Sequence, residues 1–381
     1  MDFSWTEEQR QLYNDIVSFS EQSLGSDMIE RDHGSDFSAQ LWQKCAENNV
    51  LRWSIPVENG GLGYSPLLCS YLMEALGFGC EDNGLLFALG TQLWGVQSCL
   101  LQFGTRSQHD TYLTPMMNGS KIGAYAINEP GSGSDAFALS TTAVEDSDGY
   151  LLNGSKSLIS MSTIADFAIV FAVTDPDAGR WGISAFLVNT TTPGFDVHPH
   201  EHMMGLRSVP FGSLSLNQCR VPKEALLGKP GAGASVFNFS QCWERSLILA
   251  PQIGSMSRQL AQCVEYAKHQ KRNGQSIGNH QAISHRISNM KIRLETSRLL
   301  LYKTAWLLSE GKQNLMEAAI TKTHLSEAFI ESSREAIAIH GGKGYLTEIG
   351  IERQLRDAIG GSIYGGTVDL QRNIIAGLMG L

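Results

Sequence analysis

Ala126-Ile127-Asn128-Glu129-Pro130-Gly131-Ser132-Gly133-Ser134-Asp135 stands where the texture of the chain changes. Its small residues let successive backbone N–H groups turn toward one anion, and its serines add hydroxyl donors. Such a loop can cradle a pyrophosphate or hydrogen-bond a polar ring edge. The same composition also suits a polar surface turn. No Gly-Lys-Ser/Thr follows, which excludes a Walker loop. No G-x-G-x-x-G opens a helix after a strand, so a Rossmann nicotinamide site has no support.

Upstream, residues 1–120 read as helical. Thr6 and Gln9 form a capping-box pattern, and Leu12, Ile16 and Phe19 follow at helix spacing. A glycine-rich turn from Pro56 to Gly63 interrupts, before helical patterns around Leu67–Leu76 and Leu85–Phe103. Downstream, residues 121–232 carry short β-branched or aromatic runs, Phe167–Thr174, Ile183–Asn189 and Phe211–Leu216. Asp146 to Gly149 reads as a hairpin turn. This part is expected to be an all-β barrel or sandwich. In residues 233–381 helical spacing returns, at Ile253, Met256, Leu260, Val264 and Ala267, at Ile283, Ile287, Met290 and Leu294, and over about 313–340. Long helices with short connections predict an antiparallel bundle. Pro251 is expected to kink its first helix, one turn after Glu244.

Composition limits the function. The 381 residues carry a formal net charge of −9, which argues against sequence-independent nucleic-acid binding. Uncharged apolar runs are read as shorter than the ~20 residues of a membrane span. The start, Met1-Asp2-Phe3-Ser4-Trp5, lacks a signal-peptide pattern. The seven cysteines form no Cys-x-x-Cys pair. Reduced thiols and a cytoplasmic location are the expectation.

Three further segments carry chemistry. His340-Gly341-Gly342-Lys343-Gly344-Tyr345 follows a long helix and reads as a C-cap or as a close backbone approach to a ligand. His198, His200 and His202 alternate as strand neighbours would, but Pro199 breaks a regular strand, and no metal site is expected. Cys242-Trp243-Glu244-Arg245-Ser246-Leu247 places a carboxylate beside a cation in an apolar setting. It is either a buried ion pair or a general base whose pKa burial sets.

Taken in order, these segments resemble the acyl-CoA dehydrogenase superfamily. Ala126–Asp135 resembles its flavin loop and Leu152-Asn153-Gly154-Ser155-Lys156 its next strand. Gly205-Leu206-Arg207-Ser208, Val221-Pro222 and Leu227-Gly228 resemble the exit from its middle domain. Ile339–Tyr345, Glu352-Arg353, Arg356-Asp357 and Ile363–Arg372 resemble its C-terminal signature. The resemblance implies an α+β, mostly α fold, with an N-terminal helical domain, a middle β-barrel domain and a C-terminal four-helix bundle. It also implies FAD, and oxidation of a thioester by α-proton abstraction and hydride transfer to the flavin.

In much of that family the base is the Glu of an Ile-Tyr-Glu-Gly-Thr motif. Here the motif reads Ile363-Tyr364-Gly365-Gly366-Thr367. A minority branch, typified by isovaleryl-CoA dehydrogenase, carries its base in a Glu-Arg pair on the first bundle helix, and Glu244-Arg245 matches that position. The resemblance therefore implies Glu244 as base, with Arg245 and Gly365 facing the substrate. It assigns Ile127, Asn128, Gly133, Ser134, Leu158 and Ser160 to the flavin ring and ribityl chain. It assigns Arg272, Gln281, Gly341, Gly342, Thr367 and Asp369 to the remainder of FAD. Leu158 and Ser160 replace a usual Trp and Thr, and Gln270, Asn273 and Ala338 replace a usual Arg, Phe and Gln.

These departures are similar to a secondary-metabolism branch, the prolyl–carrier-protein dehydrogenases and oxidases of alkaloid pathways, anatoxin-type among them. That resemblance implies a thioester on an acyl or peptidyl carrier protein or CoA. It implies an electron-transfer flavoprotein or O₂ as acceptor, and a homotetramer with flavin across subunit contacts. Neither nucleic acid nor membrane is an expected partner. Two alternatives stand beside it: a short branched-chain acyl-CoA dehydrogenase of the isovaleryl type, and a non-catalytic flavin- or thioester-binding protein.

Overall fold

The computed structural model describes residues 4–25 and 27–381. Met1, Asp2 and Phe3 of the N-terminal reading lie outside them. The Thr6 capping box forms as predicted: Gln9 N–H donates to Thr6 Oγ1 at 3.2 Å, and Thr6 N–H to Gln9 Oε1 at 3.0 Å. It opens α1 (Glu7–Ser23), followed by α2 (Met28–Gly34), α3 (Ala39–Glu47) and α4 (Pro66–Gly79). Next, α5 (Asn83–Gly90) runs through a wide π turn, Thr91–Gln97, into α6 (Ser98–Phe103). Short helices α7 (Arg106–Gln108) and α8 (Thr114–Met117) complete this part. The expectation that no run reaches membrane-spanning length needs correcting. Asn83–Phe103 is long and apolar enough, yet 83 % of its most apolar window is buried inside the protein. It is a core helix, and its apolar character comes from being enclosed on all sides.

The middle part is one mixed sheet of seven strands: β1 (Gly123–Ala126), β2 (Thr142–Asp146), β3 (Gly149–Ser160), β4 (Phe167–Val173), β5 (Ile183–Asn189), β6 (Phe195–Val197) and β7 (Phe211–Val221). The hairpin read at Asp146–Gly149 joins β2 to β3, with those two residues as partners. The β3–β7 ladder shifts register between Lys156 and Ile159. In that irregular stretch Leu158 takes a φ of +57°, a conformation leucine rarely adopts.

Pro251 does not kink a continuous helix. The chain ends α9 (Gly233–Leu247) and opens α10 (Ala250–His269), with Pro251 in its first turn. There the missing N–H removes no intrahelical bond. A small hairpin follows, β8 (Lys271–Arg272) and β9 (Gln275–Ser276). Then come α11 (Gln281–Ser309), α12 (Leu315–His340), α13 (Ile351–Gly361) and α14 (Val368–Leu378). Leu72 and Leu76 of α4 share one buried core with Ile253 and Met256 of α10, Leu294 and Leu301 of α11, and Leu325 and Phe329 of α12. The helical ends of the chain thus pack as one body. All three parts meet at Asp357, whose carboxylate accepts from Asn83 Nδ2 (2.9 Å) and the Leu206 N–H (2.7 Å). All seven cysteines are free thiols.

Candidate functional site

The π turn brings Gly95 against α9. A Cβ at residue 95 would lie 2.8 Å from Glu244 Oε1 and 4.0 Å from the Tyr125 ring. The other carboxylate oxygen, Oε2, accepts from Gln241 Nε2 at 2.7 Å, one turn earlier on α9. Tyr125 and Ser240 share a hydrogen bond of 2.7 Å between their hydroxyls. Glu244 lies deep among protein atoms yet keeps some accessible surface. Burial pushes its pKa up from 4.5 to about 7, although Arg245, the Gln241 hydrogen bond and Lys322 pull the other way.

The two sequence readings of Glu244-Arg245 separate here. Among the described residues the pair makes no ion pair or hydrogen bond with each other, and Arg245 Nε is buried without a partner. Burial lowers the guanidinium pKa. The loop between α13 and α14 closes the other side. A Cβ at Gly365 would meet Lys322 Cε at 3.5 Å and Ile248 at 3.9 Å, and one at Gly366 would meet Arg245 Nε at 3.9 Å. Glu244, Arg245 and Gly365 are therefore brought together. Four contributors escaped the sequence reading. Gly95 is one of three glycines, with Gly84 and Gly90, in the apolar stretch Asn83–Phe103, so nothing in the sequence singles it out. Gln241 stands three residues before Glu244, a helix-face pair. Lys322 falls at helix spacing from Ala319, Leu325 and Phe329 but is flanked by Thr321, Thr323 and His324, which hides it, and Tyr125 gave no signal.

The loop 126–135 leaves β1 beside β3. Ile127 C=O accepts from Lys156 Nζ at 3.1 Å, and Asn128 C=O from the Ser157 N–H at 3.0 Å. These bonds seat Asn128 next to Leu158, which is 56 % exposed. Behind the loop lies a buried ion pair, Lys156 Nζ to Glu129 Oε1 at 2.8 Å. Burial raises the Glu129 pKa, but bonds from Lys156, Ser140 and Thr141 outweigh it and hold the carboxyl at about 2. Among the described residues the side chains of Asn128, Ser134 and Ser160 have no hydrogen-bond partner, and a Cβ at Gly131 or Gly133 would meet nothing within 4 Å. Free polar donors, open backbone and an exposed apolar side chain on one surface fit a flavin: a polar ring edge, a polar chain and a flat apolar face.

The other cofactor residues lie elsewhere. Arg272 on β8, Gln281 at the start of α11, and Gly341 and Gly342 after α12 are exposed at one end of the bundle. No hydrogen bond or ring contact joins them to the 127–134 loop among the described residues. Gly341 is a C-cap as read, with φ +59° and its N–H bonded to Ile337 C=O. A Cβ at Gly341 or Gly342 would meet nothing within 4 Å. The Thr367 hydroxyl accepts from the Leu370 N–H at 3.1 Å and caps α14, while exposed Asp369 pairs with Arg372 at 3.4 Å. His198 bonds Ser215 (3.1 Å) and His200 accepts from the Phe211 N–H (3.2 Å). Among the described residues no group of His, Cys, Asp or Glu is arranged to hold a metal. A cleft of about 610 Å³ lined by Phe37, Trp42, Ile164 and His200 includes none of these site residues.

Comparison with known proteins identifies the family. Family models match in order: acyl-CoA dehydrogenase N-terminal domain over 6–120, middle domain over 124–219 and C-terminal domain over 231–379. The chain is 38 % identical over 377 residues, 99 % of each chain, to an L-prolyl-(peptidyl-carrier protein) dehydrogenase of Pseudomonas fluorescens. It is 35 % identical to the mitochondrial short-chain specific acyl-CoA dehydrogenase of Homo sapiens, covering 97 % of this chain and 90 % of that one. Among solved structures, the prolyl acyl carrier protein oxidase AnaB superposes with a TM-score of 0.97 at 41 % identity, over 99 % of this chain and 100 % of that one. PigA with FAD and proline gives 0.97 at 34 %, over 100 % of both. The chain belongs to the acyl-CoA dehydrogenase family along its whole length and is an FAD-dependent oxidoreductase of thioesters.

Proposed function

We propose that the substrate is a prolyl group tethered as a thioester to a peptidyl carrier protein, and that Glu244 is the base that removes its α-proton. The observation that carries this reading is a carboxyl held near neutrality beneath Gly95, while residue 365 has no side chain. A thioester carbonyl acidifies the neighbouring C–H, and a carboxylate with a pKa near the working pH is suited to take that proton. FAD, when bound, would supply the acceptor for the hydride that the deprotonated substrate gives up. Gln241 orients the carboxylate, and Tyr125 with Ser240 walls the pocket. Arg245, whose Nε has no hydrogen-bond partner among the described residues, is the proposed donor to the substrate. Gly365 leaves room beside Ile248 for an α-substituted ring. The prolyl-(peptidyl-carrier protein) dehydrogenase and PigA relatives support this substrate.

Flavin contacts are proposed for Ile127, Asn128, Gly133, Ser134, Leu158 and Ser160. For the remainder of FAD the proposed contacts are Arg272, Gln281, Gly341, Gly342, Thr367 and Asp369, supplied across a homotetramer contact. Ile292, Leu299 and Trp306, each seven residues apart on α11, are 60 %, 54 % and 38 % exposed. This apolar stripe supports assembly of like chains. The proposed final electron acceptor is an electron-transfer flavoprotein or O₂.

The short-chain acyl-CoA dehydrogenase relatives favour a second reading, oxidation of a free CoA ester. Anaerobic flavin bleaching with prolyl–carrier protein, prolyl-CoA and isovaleryl-CoA side by side tests both. The carrier-bound substrate is expected to bleach fastest. Bleaching by isovaleryl-CoA alone would install the second reading, and no bleaching at all would make the chain a binding scaffold.

A further inference from the structure

Lys322 is fully buried on α12. A buried ammonium costs several kcal/mol unless its protons find acceptors. Lys322 Nζ donates to Gly361 C=O at 2.6 Å and reaches Gly366 C=O at 3.5 Å. It also sits 5.2 Å from the centre of the Tyr364 ring. One turn later Ser326 Oγ donates to the same Gly361 C=O at 2.8 Å. The turn that carries Gly365 is thus gripped from beneath by α12. Among the described residues no carboxylate bonds Lys322, so its charge is uncompensated by an ion pair.

We propose that Lys322 is a positioning residue for proton abstraction, fixing the turn 361–366 beside Arg245 and lending positive charge that favours the ionised form of Glu244. This rests on the reading of Glu244 as the base. The electrostatics agree with the geometry. Burial, and after it the like charge of Arg245, lower the Lys322 pKa to about 7, with Glu244 acting in the opposite direction. Lys322 in turn pulls the Glu244 carboxyl down. The groups facing Glu244 are Gln241 and Arg245 on α9, Tyr125 on β1, Cys99 on α6 and Lys322 on α12. Only two of these, Arg245 and Lys322, bring positive charge.

The test is single-turnover bleaching of FAD-loaded enzyme by prolyl–carrier protein between pH 5 and 9, for wild type, Lys322→Met and Glu244→Gln. Removing a cation raises a neighbouring carboxyl pKa. Lys322→Met is therefore expected to retain FAD, to shift the rising limb of the rate upward by about half a pH unit, and to lose about twofold at pH 7. Ser326→Ala, which removes a grip on Gly361 but no charge, is expected to leave the limb in place. A wild-type profile in Lys322→Met would overturn the proposal. If Lys322→Met does not fold, Lys322→Gln, which keeps an amide donor for Gly361, is measured in the same way. Loss of FAD in both would make Lys322 a structural strut and overturn it too. Wild-type bleaching by Glu244→Gln would instead remove the base reading. An inactive Glu244→Gln beside an unshifted Lys322→Met removes only the role of Lys322.

Discussion

The carboxylate of Glu244 occupies the space that residue 95 leaves by having no side chain: a Cβ there would lie 2.8 Å from Oε1. The contact is with the far end of a flexible side chain, so a methyl group displaces the carboxylate more readily than the backbone. Gly95→Ala is expected to keep its FAD and its melting temperature within a few degrees of wild type. Its single-turnover reduction should slow by about 10², the scale of a misplaced catalytic group. Equal rates in the two proteins would show that this contact does not set the position of Glu244.

The pair Glu129–Lys156 is buried at both ends, and breaking such a pair by removing one charge costs about 3–5 kcal/mol. Glu129→Gln should lower stability on that scale and weaken FAD binding, because Lys156 also holds Ile127 C=O. The folded carboxyl is depressed from 4.5 to about 2. Its contribution is therefore present above about 4.5 and is lost as pH falls toward about 2. The gap between the two proteins in denaturant titrations should be smaller at pH 3 than at pH 7. A constant gap between them would be the contrary result.

Leu299→Glu places a charge in the middle of the exposed apolar stripe on α11. If like chains cover that stripe, light scattering of the holoprotein should report a smaller assembly, with weaker retention of FAD. An unchanged mass and flavin content would move the subunit contact to another face.

Much of this was legible because it is local. The Thr6–Gln9 capping box, the Asp146–Gly149 hairpin and the end of α12 at Gly341 each depend on residues within a few positions, and the structure has them as read. Pro251 was misread because periodicity continues across it: apolar spacing does not distinguish a kinked helix from two helices in register. The apolar length of Asn83–Phe103 was underestimated because scattered polar residues such as Gln92 break the run. Gln92 is satisfied by the backbone of Gly123, at 2.7 and 2.9 Å. Glu244 was legible as a candidate, but its bond to Gln241 and its lack of one to Arg245 are tertiary facts. The approach of Lys322 to Gly365 joins residues 43 positions apart across two helices, and no local pattern announces it.

The last prediction concerns Glu244→Gln, which keeps size and hydrogen bonding but removes the base. Among the described residues no hydrogen bond joins Glu244 to the 126–135 loop, so FAD content should stay near wild type. Bleaching by the substrate thioester should slow by about 10² or more, the usual scale for a general base. In wild type only the carboxylate accepts a proton, so the rate should climb as pH rises through about 7, and Gln should abolish that limb. Stability runs in the opposite direction. The folded carboxyl is raised from 4.5 to about 7, so the native state binds the proton more tightly than the unfolded chain. This group's contribution is complete below about 4.5 and is lost as pH rises through about 7. The melting temperature of Glu244→Gln should therefore gain on wild type between pH 5 and pH 8. Melting and single-turnover reduction measured on one sample separate a base from a structural partner. A variant that melts early at every pH yet reduces flavin at the wild-type rate would make Glu244 a strut for α9 and send the proton to another acceptor.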